Sequence, residues 1–482
     1  MRLSKTALVH FAGQVVISVA GFGATFAIAR LEGESVLGLY SVAVALGFYL
    51  LVIPTQAIGN AVKKRMSEGD DRQAYFGVGL LVNGGLGIAV AVGVALLGVA
   101  IDAVALPGDV TMVRVIDAYS LEIAALVLST SAFWTVRSAL DGTKRVGTSG
   151  LLQAGERVLR TGLQVGLLVA GFGVLGLIGG HAAALAVAAA AGLAIVGTGR
   201  VPTRTHVSSV LSYARYAWLG TLRSRIYGWF DTFVLAFFVS SGLIGIYEAA
   251  WGLASLLAVV STSVRATLFP EVSELSVDDE YERIRSILHD GLVFSGVFVI
   301  PGLVGAAIVG RRVLEFYRPS FGQGAGILVI LIAAYGADVY GQQFLNVVNA
   351  TDNPSLAYRV NKWFIAVSVV LTVSLAWVFG WYGAAAATAS ASVIRTVFSY
   401  HVLREIVGSV PLPVGEIGRE VLAAGIMAAV LVPLQRAVPG GNPWTLALVG
   451  AGAAVYGVSL YALSTTVRGK VDGLVGGRLD RA

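Results

Sequence analysis

The chain contains no cysteine, which excludes disulfides and thiolate metal sites. Histidine is scarce. His10, His181, His206, His289 and His401 are scattered, with no pair at metal-ligand spacing and no H-E-x-x-H. Charge is scarce as well: 13% of residues are charged, against about 25% in a soluble globular domain. No G-x-x-x-x-G-K-[ST] is present, so no intrinsic P-loop ATPase drives the protein. The links between apolar runs are short and leave no room for a globular catalytic domain. No enzyme activity, cofactor or metal is expected.

What the chain has in excess is apolar surface. Of its 482 residues 56% are hydrophobic, mean hydropathy is +0.79, and there are 60 glycines. Such a surface must face lipid, and glycine lets membrane helices approach closely. Apolar runs predict an all-α polytopic membrane protein with about fourteen transmembrane helices, near 11–30, 36–58, 74–99, 115–136, 151–172, 176–198, 216–239, 243–269, 289–310, 324–347, 363–380, 383–402, 420–437 and 443–463. Merging a short-linked pair gives twelve. Alternate loops carry 21 Lys/Arg against 6 on the other side, so both termini are expected in the cytoplasm of a cell-membrane protein. The basic Met1–Lys5 is read as the flank of a first membrane helix rather than of a signal peptide. The net charge of +6 lies in loops and does not point to nucleic acid.

The halves resemble each other. Gly38-Leu-Tyr40 and Gly245-Ile-Tyr247 lie 207 residues apart, and Gly176-x-x-Gly179 answers Gly380-x-x-Gly383 at an offset of 204. The expected plan is two parallel six-helix bundles, 1–200 and 205–405, with two additional helices over 418–465 and a cytoplasmic tail over 466–482. Transporters often place their site at such a repeat interface.

Ionisable groups in membrane spans are costly unless they face a bundle interior or a wet cavity. On the seventh predicted helix Arg223, Tyr227 and Asp231 fall within an arc of about 80°, with Asp231 about 12 Å along the axis from Arg223. A cavity wall and a structural ion pair would both look like this. Arg225 faces elsewhere and can snorkel to headgroups. On the tenth helix Tyr335, Asp338, Gln342, Asn346 and Asn349 share an arc of about 80°, as a cavity wall or as interhelical hydrogen bonding. Glu122 and Glu248 stand in apolar surroundings. Gln153, Glu156, Arg157 and Arg160 open the fifth helix and read as flanking charge; His181 reads as a packing residue.

The stretch Asp231-Thr-Phe-Val-Leu-Ala-Phe-Phe-Val-Ser-Ser-Gly-Leu-Ile-Gly-Ile-Tyr-Glu-Ala-Ala, with Leu268-Phe-Pro-Glu, Ala29-Arg-Leu, Gly38-Leu-Tyr-Ser and Gly380-x-x-Gly-Ala-Ala-Ala, resembles the oligosaccharide flippase family. These polysaccharide-biosynthesis exporters are similar in fold to multidrug and toxin extruders. The resemblance covers residues 5–465. It implies alternating-access movement of a polyprenyl- or dolichyl-phosphate-linked oligosaccharide, with Arg223 or Arg225 on phosphate, Arg157 at the gate, and Asp231, Asp338 and Gln342 lining the cavity. The expected partners are this anionic lipid-linked glycan and membrane lipids, acting on a monomer, with proton or sodium coupling left open. Two alternatives stand beside it: a proton- or sodium-coupled multidrug or cation exporter, kept alive by Asp231, Glu248 and Glu122, and a lipid-linked peptidoglycan-precursor flippase.

Overall fold

The computed structural model describes residues 20–69, 71–104, 110–257, 259–278, 280–410, 412–470 and 472, without the side chains of 52–54, 216–228 and 259–267. The described residues contain helices, turns and no strand. In hydrocarbon a chain must satisfy its own backbone hydrogen bonds, and a helix does so within one segment. Two compact units divide the chain, Met1–Glu248 and Ala249–Ala482.

In the first unit, helix α1 (20–32) is followed by α2 (Glu34–Gly47), which passes through a π-helical turn at Phe48–Val52 into α3 (Ile53–Glu68). Then come α4 (Arg72–Val104), α5 (Thr111–Gly142), α6 (Val146–Val169), α7 (Gly173–Val196) and α8 (Arg204–Phe238). The start of α8 is fixed by a capping box between Thr203 and His206, which satisfies otherwise orphaned backbone donors. Helix α9 (Ser241–Leu256) leads out of the unit. One core cluster gathers Ile58, Val62 and Met66 of α3, Phe76 and Val78 of α4, Val136 and Leu140 of α5, and Val210 of α8. Beside it Asn83 donates to the Thr135 hydroxyl at 2.9 Å, and its carbonyl accepts from Ser131 at 2.7 Å. Such bonds tie α4 to α5 where dispersion alone would hold them.

The two Gly-x-Tyr motifs meet in this unit. A Cβ on Gly38 would overlap the Ser241 carbonyl, and one on Gly245 would overlap the Glu34 carbonyl. Thus α2 and α9 cross backbone to backbone, and each glycine is the small residue its crossing requires.

The second unit contains α10 (Val259–Val277), α11 (Tyr281–Leu314), a 3-10 turn at Pro319–Gly324, α12 (Ala325–Ala350), α13 (Pro354–Val407), α14 (Val414–Ala437) and α15 (Asn442–Leu463). Its 54-residue α13 is broken at Gly380, whose φ of 58° and ψ of −136° reverse the chain. Gly383 consequently packs on the carbonyl of Leu375. One cluster joins Leu288 and Leu292 of α11 to Phe344 and Val348 of α12 and to Val360 and Leu403 of α13. Another joins Val309 to Met427, Leu431, Leu448 and Leu460.

The expected fourteen spans, in two six-helix bundles plus a terminal pair, are not what the structure supports. Among the described residues eight helices are long and apolar enough to cross a membrane. Counting one span for each apolar run of about 20 residues overstates the number of long apolar helices. The helices instead run to very different lengths, from 14 residues in α2 to 35 in α8, while the expected break between 363–380 and 383–402 falls where α13 reverses at Gly380. Others, such as α6, carry a charged face and are not uniformly apolar. Most of the first expected span lies outside the described residues. The protein is nonetheless a multi-pass membrane protein. Its outward side chains include Val169, Trp377 and Val458, each more than 70% exposed, which is lipid-facing chemistry rather than water-facing.

Gly38→Val or Gly245→Val should destabilise the protein by about 1–3 kcal/mol through overpacking. Gly162→Ala, at an exposed position with nothing within 4 Å of the added methyl, should not. Thermal unfolding of the detergent-solubilised variants measures both.

Candidate functional site

Helix α6 carries polar side chains at 153, 156, 157, 160, 161 and 164, a spacing that keeps them on one face. Its opposite face is apolar and outward, with Leu151 62% and Val158 54% exposed. The polar face opens on a cavity of about 320 Å³ wholly within the first unit, walled also by α1, α2, α5, α7, α8 and α9. That volume is at the low end for small-molecule sites, which run from about 300 to 1,000 Å³.

Two arginines enter it. Arg160 pairs with Glu156 through Nη2 and Oε2 at 2.9 Å and Nε and Oε1 at 2.9 Å. Glu156 is buried, so this pair compensates the charge that burial would otherwise penalise. Arg157 lies with its guanidinium against Gly21. It makes no carboxylate ion pair among the described residues, and its Nε has no hydrogen-bond partner there. Facing them, the Tyr40 hydroxyl hydrogen-bonds to His181 Nδ1 at 3.0 Å. Thr25, Ser41, Thr130, Thr161 and Gln164 add polar lining, and Phe48, Phe133, Trp134 and Trp229 supply aromatic faces. Phe48 and Trp229 stack with centroids 5.8 Å apart. Fixed guanidiniums beside hydroxyls and flat rings suit an anionic, hydroxyl-rich ligand.

Of the residues given a cavity role on sequence grounds, Arg157 and Glu248 line this cavity. Glu248 accepts a short hydrogen bond from Thr232. Asp231 is buried on α8 and accepts from the Tyr247 hydroxyl at 2.5 Å, so the tyrosine of the second Gly-x-Tyr motif holds it. Glu122 stands on α5 one turn before Leu126 and is not in the lining. The side chains of Arg223, Arg225 and Tyr227 lie outside the described residues, although the backbone there is part of α8.

Asp338 and Gln342 belong to the second unit. Asp338 is buried and paired with Arg395 of α13, which also donates to the Asp338 carbonyl at 3.2 Å. The Gln342 amide donates to the same carboxylate. The Phe364 ring lies 4.9 Å from the Arg395 guanidinium; the reversal at Gly380 brings these two parts of α13 together. The α12 stripe here makes an interhelical polar network, with Asn346 half-buried one turn further along.

Sequence reading used Tyr40 only as part of a repeated motif and passed over Gln164, Trp134, Trp229 and Arg395. It assigned Glu156 and Arg160 to flanking charge and His181 to packing. The signal that could have found the α6 wall was its six polar positions at helical spacing. No sequence signal joined Arg395 to Asp338.

Fold and site together define a polytopic membrane protein with a compact cationic, aromatic-lined cavity, arranged for recognition rather than bond chemistry. The chain belongs to the polysaccharide biosynthesis protein family, whose family model matches residues 3–276. A Haloferax volcanii protein described as probable flippase AglR is 32% identical over 483 residues, covering 98% of each chain. Among solved structures, the lipid II flippase MurJ in an inward closed conformation aligns with a TM-score of 0.78 at 15% identity, over 94% of this chain and 98% of that one. An inward-facing multidrug resistance MATE family transporter of the MOP superfamily aligns with a TM-score of 0.59 at 15% identity, over 82% and 94%. At these identities the structural likenesses are of fold, and they agree with the flippase-like and extruder-like resemblance seen in the sequence motifs.

Arg395→Ala should destabilise the second unit by about 3–5 kcal/mol, because it leaves Asp338 buried and uncompensated. Arg395→Met with Asp338→Leu should lose much less. Thermal unfolding of both proteins in detergent makes the comparison.

Proposed function

We propose that this protein is a flippase that carries a lipid-linked glycan across the cell membrane by alternating access, without covalent chemistry. The observation that carries the reading is the cavity of the first unit, where Arg157 and Arg160 stand among hydroxyls and aromatic rings. A phosphate or diphosphate on a polyprenyl or dolichyl carrier supplies oxygens for a guanidinium fork. The first sugars then meet Tyr40, Gln164 and the aromatic faces, while the isoprenoid tail stays in lipid. The full-length likeness to a probable flippase supports the same reading.

In this mechanism Arg157 is the first phosphate contact, because no described carboxylate bonds to it. Arg160 is held in place by Glu156 and shares the anion. On sequence grounds Arg223 and Arg225 extend the cationic path along α8, Tyr227 and Asp231 follow on the same helix, and Glu248 closes one wall. Asp338, Gln342 and Asn346 stabilise the second unit's share of the cycle. The protein acts as a monomer with both termini in the cytoplasm, as the 21-to-6 distribution of basic residues suggests.

A cation or multidrug exporter of similar fold would instead use Glu248 as its ligand. Reconstitution separates the two. In proteoliposomes supplied with a polyprenyl-phosphate-linked glycan, Arg157→Ala should slow translocation about tenfold or more, the effect of losing a charge-assisted hydrogen bond of about 1.5–3 kcal/mol. Arg157→Lys should retain part of the rate, and Glu248→Gln should retain most of it. Unchanged translocation in Arg157→Ala and Arg160→Ala, both folded, would sink the assignment. Loss in Glu248→Gln alone would favour the exporter.

A further inference from the structure

The second unit holds a charge-bearing group that the proposed transport site does not use. Glu420 of α14 has no exposed surface, and neither of its carboxylate oxygens has a hydrogen-bond partner among the described residues. The hydroxyls of Tyr340 on α12 and Tyr456 on α15 are buried and unpartnered in the same sense. They are neighbours. A Cβ on Gly296 of α11 would overlap both Glu420 Oε2 and the Tyr340 hydroxyl, so the two oxygens converge over that glycine. Tyr456 lies within electrostatic reach of both Glu420 and Tyr340. Glu420 of α14 and Tyr340 of α12 thus converge over Gly296, where α11 presents only a hydrogen atom, and Tyr456 of α15 packs in the same core cluster as Ala423 and Ala424 of α14.

The surroundings do not stabilise a negative charge. The facing titratable groups are Tyr340, Tyr456 and, one turn earlier on the same helix, Glu416. Glu416 is itself an anion held by Arg419 at 2.5 Å, Ser464 at 2.7 Å and Thr466 at 2.8 Å. The nearest cation in the sequence, Arg419, is therefore engaged by Glu416. No described Lys, Arg or His forms an ion pair with Glu420. An unpaired carboxylate in such a place is far costlier than a neutral carboxyl, and ionisable groups within membrane segments commonly mark ion or proton pathways.

We propose that Glu420, with Tyr340 and Tyr456, forms a buried proton-binding site in the second unit. On binding a proton the carboxyl gains a donor beside the Tyr340 hydroxyl, which has no other hydrogen-bond partner among the described residues. A proton needs only these partners, whereas a sodium ion requires a fuller oxygen shell than two phenols and one carboxylate supply. The site itself stands independently of the flippase reading. Its use to couple transport to a proton gradient rests on that reading.

Infrared difference spectroscopy of the full-length protein in nanodiscs tests the site without transport. The wild type should show the carbonyl band of a protonated carboxyl at neutral pH, lost on alkalinisation and unmoved by sodium at fixed pH. Glu420→Gln should lack that band, and Tyr340→Phe and Tyr456→Phe should shift it. Should Glu420→Gln fail to fold, the shift in the two Phe variants decides. Thermal stability gives the linked readout. A carboxyl neutral in the fold and ionised in the unfolded chain lowers stability as pH rises, so the wild type should lose more stability on alkalinisation than Glu420→Gln. Absence of the band at neutral pH, its displacement by sodium, or its indifference to both Phe variants would overturn the proposal. Translocation in Arg157→Ala is read separately, so failure of the flippase assignment leaves this result intact.

Discussion

Charge removed from water governs this structure, and each buried ionisable group answers the cost in a different way. Arg395 and Asp338 answer it by pairing with each other, with the Gln342 amide and the Phe364 ring completing the surroundings. Arg160 and Glu156 answer it at the edge of a cavity, where the arginine remains able to reach a ligand. Arg157 enters the same cavity with no carboxylate bonded to it among the described residues. Glu420 has no ion-pair partner among them, and a phenol stands beside it. Pairing of this kind adds little net stability, but removing one partner is severe. The pairs therefore fix which helix faces which, while the unpaired groups mark where something from outside can bind.

Close backbone contact is the second constraint. Apolar side chains in lipid gain little from meeting one another, so helices associate through packing and a few hydrogen bonds. Gly38 and Gly245 place the backbones of α2 and α9 in contact. Their tyrosines then do parallel work: Tyr40 reaches His181 on the cavity wall, and Tyr247 reaches Asp231 on α8. The two related motifs thus meet at one crossing, and each delivers a phenol to a buried polar group.

Much of the candidate site was legible as residue types. Arg157, Glu248, Asp231 and Asp338 stand out because charge in an apolar run is rare. Their roles were not legible. Asp338 lay on a polar helical stripe whether it faced a cavity or a packed helix, and only Arg395, 57 residues away, distinguishes the two. Glu156 and Arg160 were masked by their position near the start of a helix, where flanking charge is ordinary. Tyr40, Trp134 and Trp229 carry no polar anomaly and became site residues only when their helices converged.

By itself the sequence determined that the chain is helical and lies in a membrane, because its long apolar runs have the length of membrane helices, each of which satisfies its own backbone in lipid. Its ordered motifs also determined the family. The tertiary structure decided how many of those apolar runs form long membrane-crossing helices, although the break at Gly380 was already legible in the sequence. It decided, too, which charges neutralise one another and which remain available to a ligand. Helical periodicity assigns a side chain to a face, but the partner on that face comes from a distant part of the chain, and its identity depends on how the helices pack.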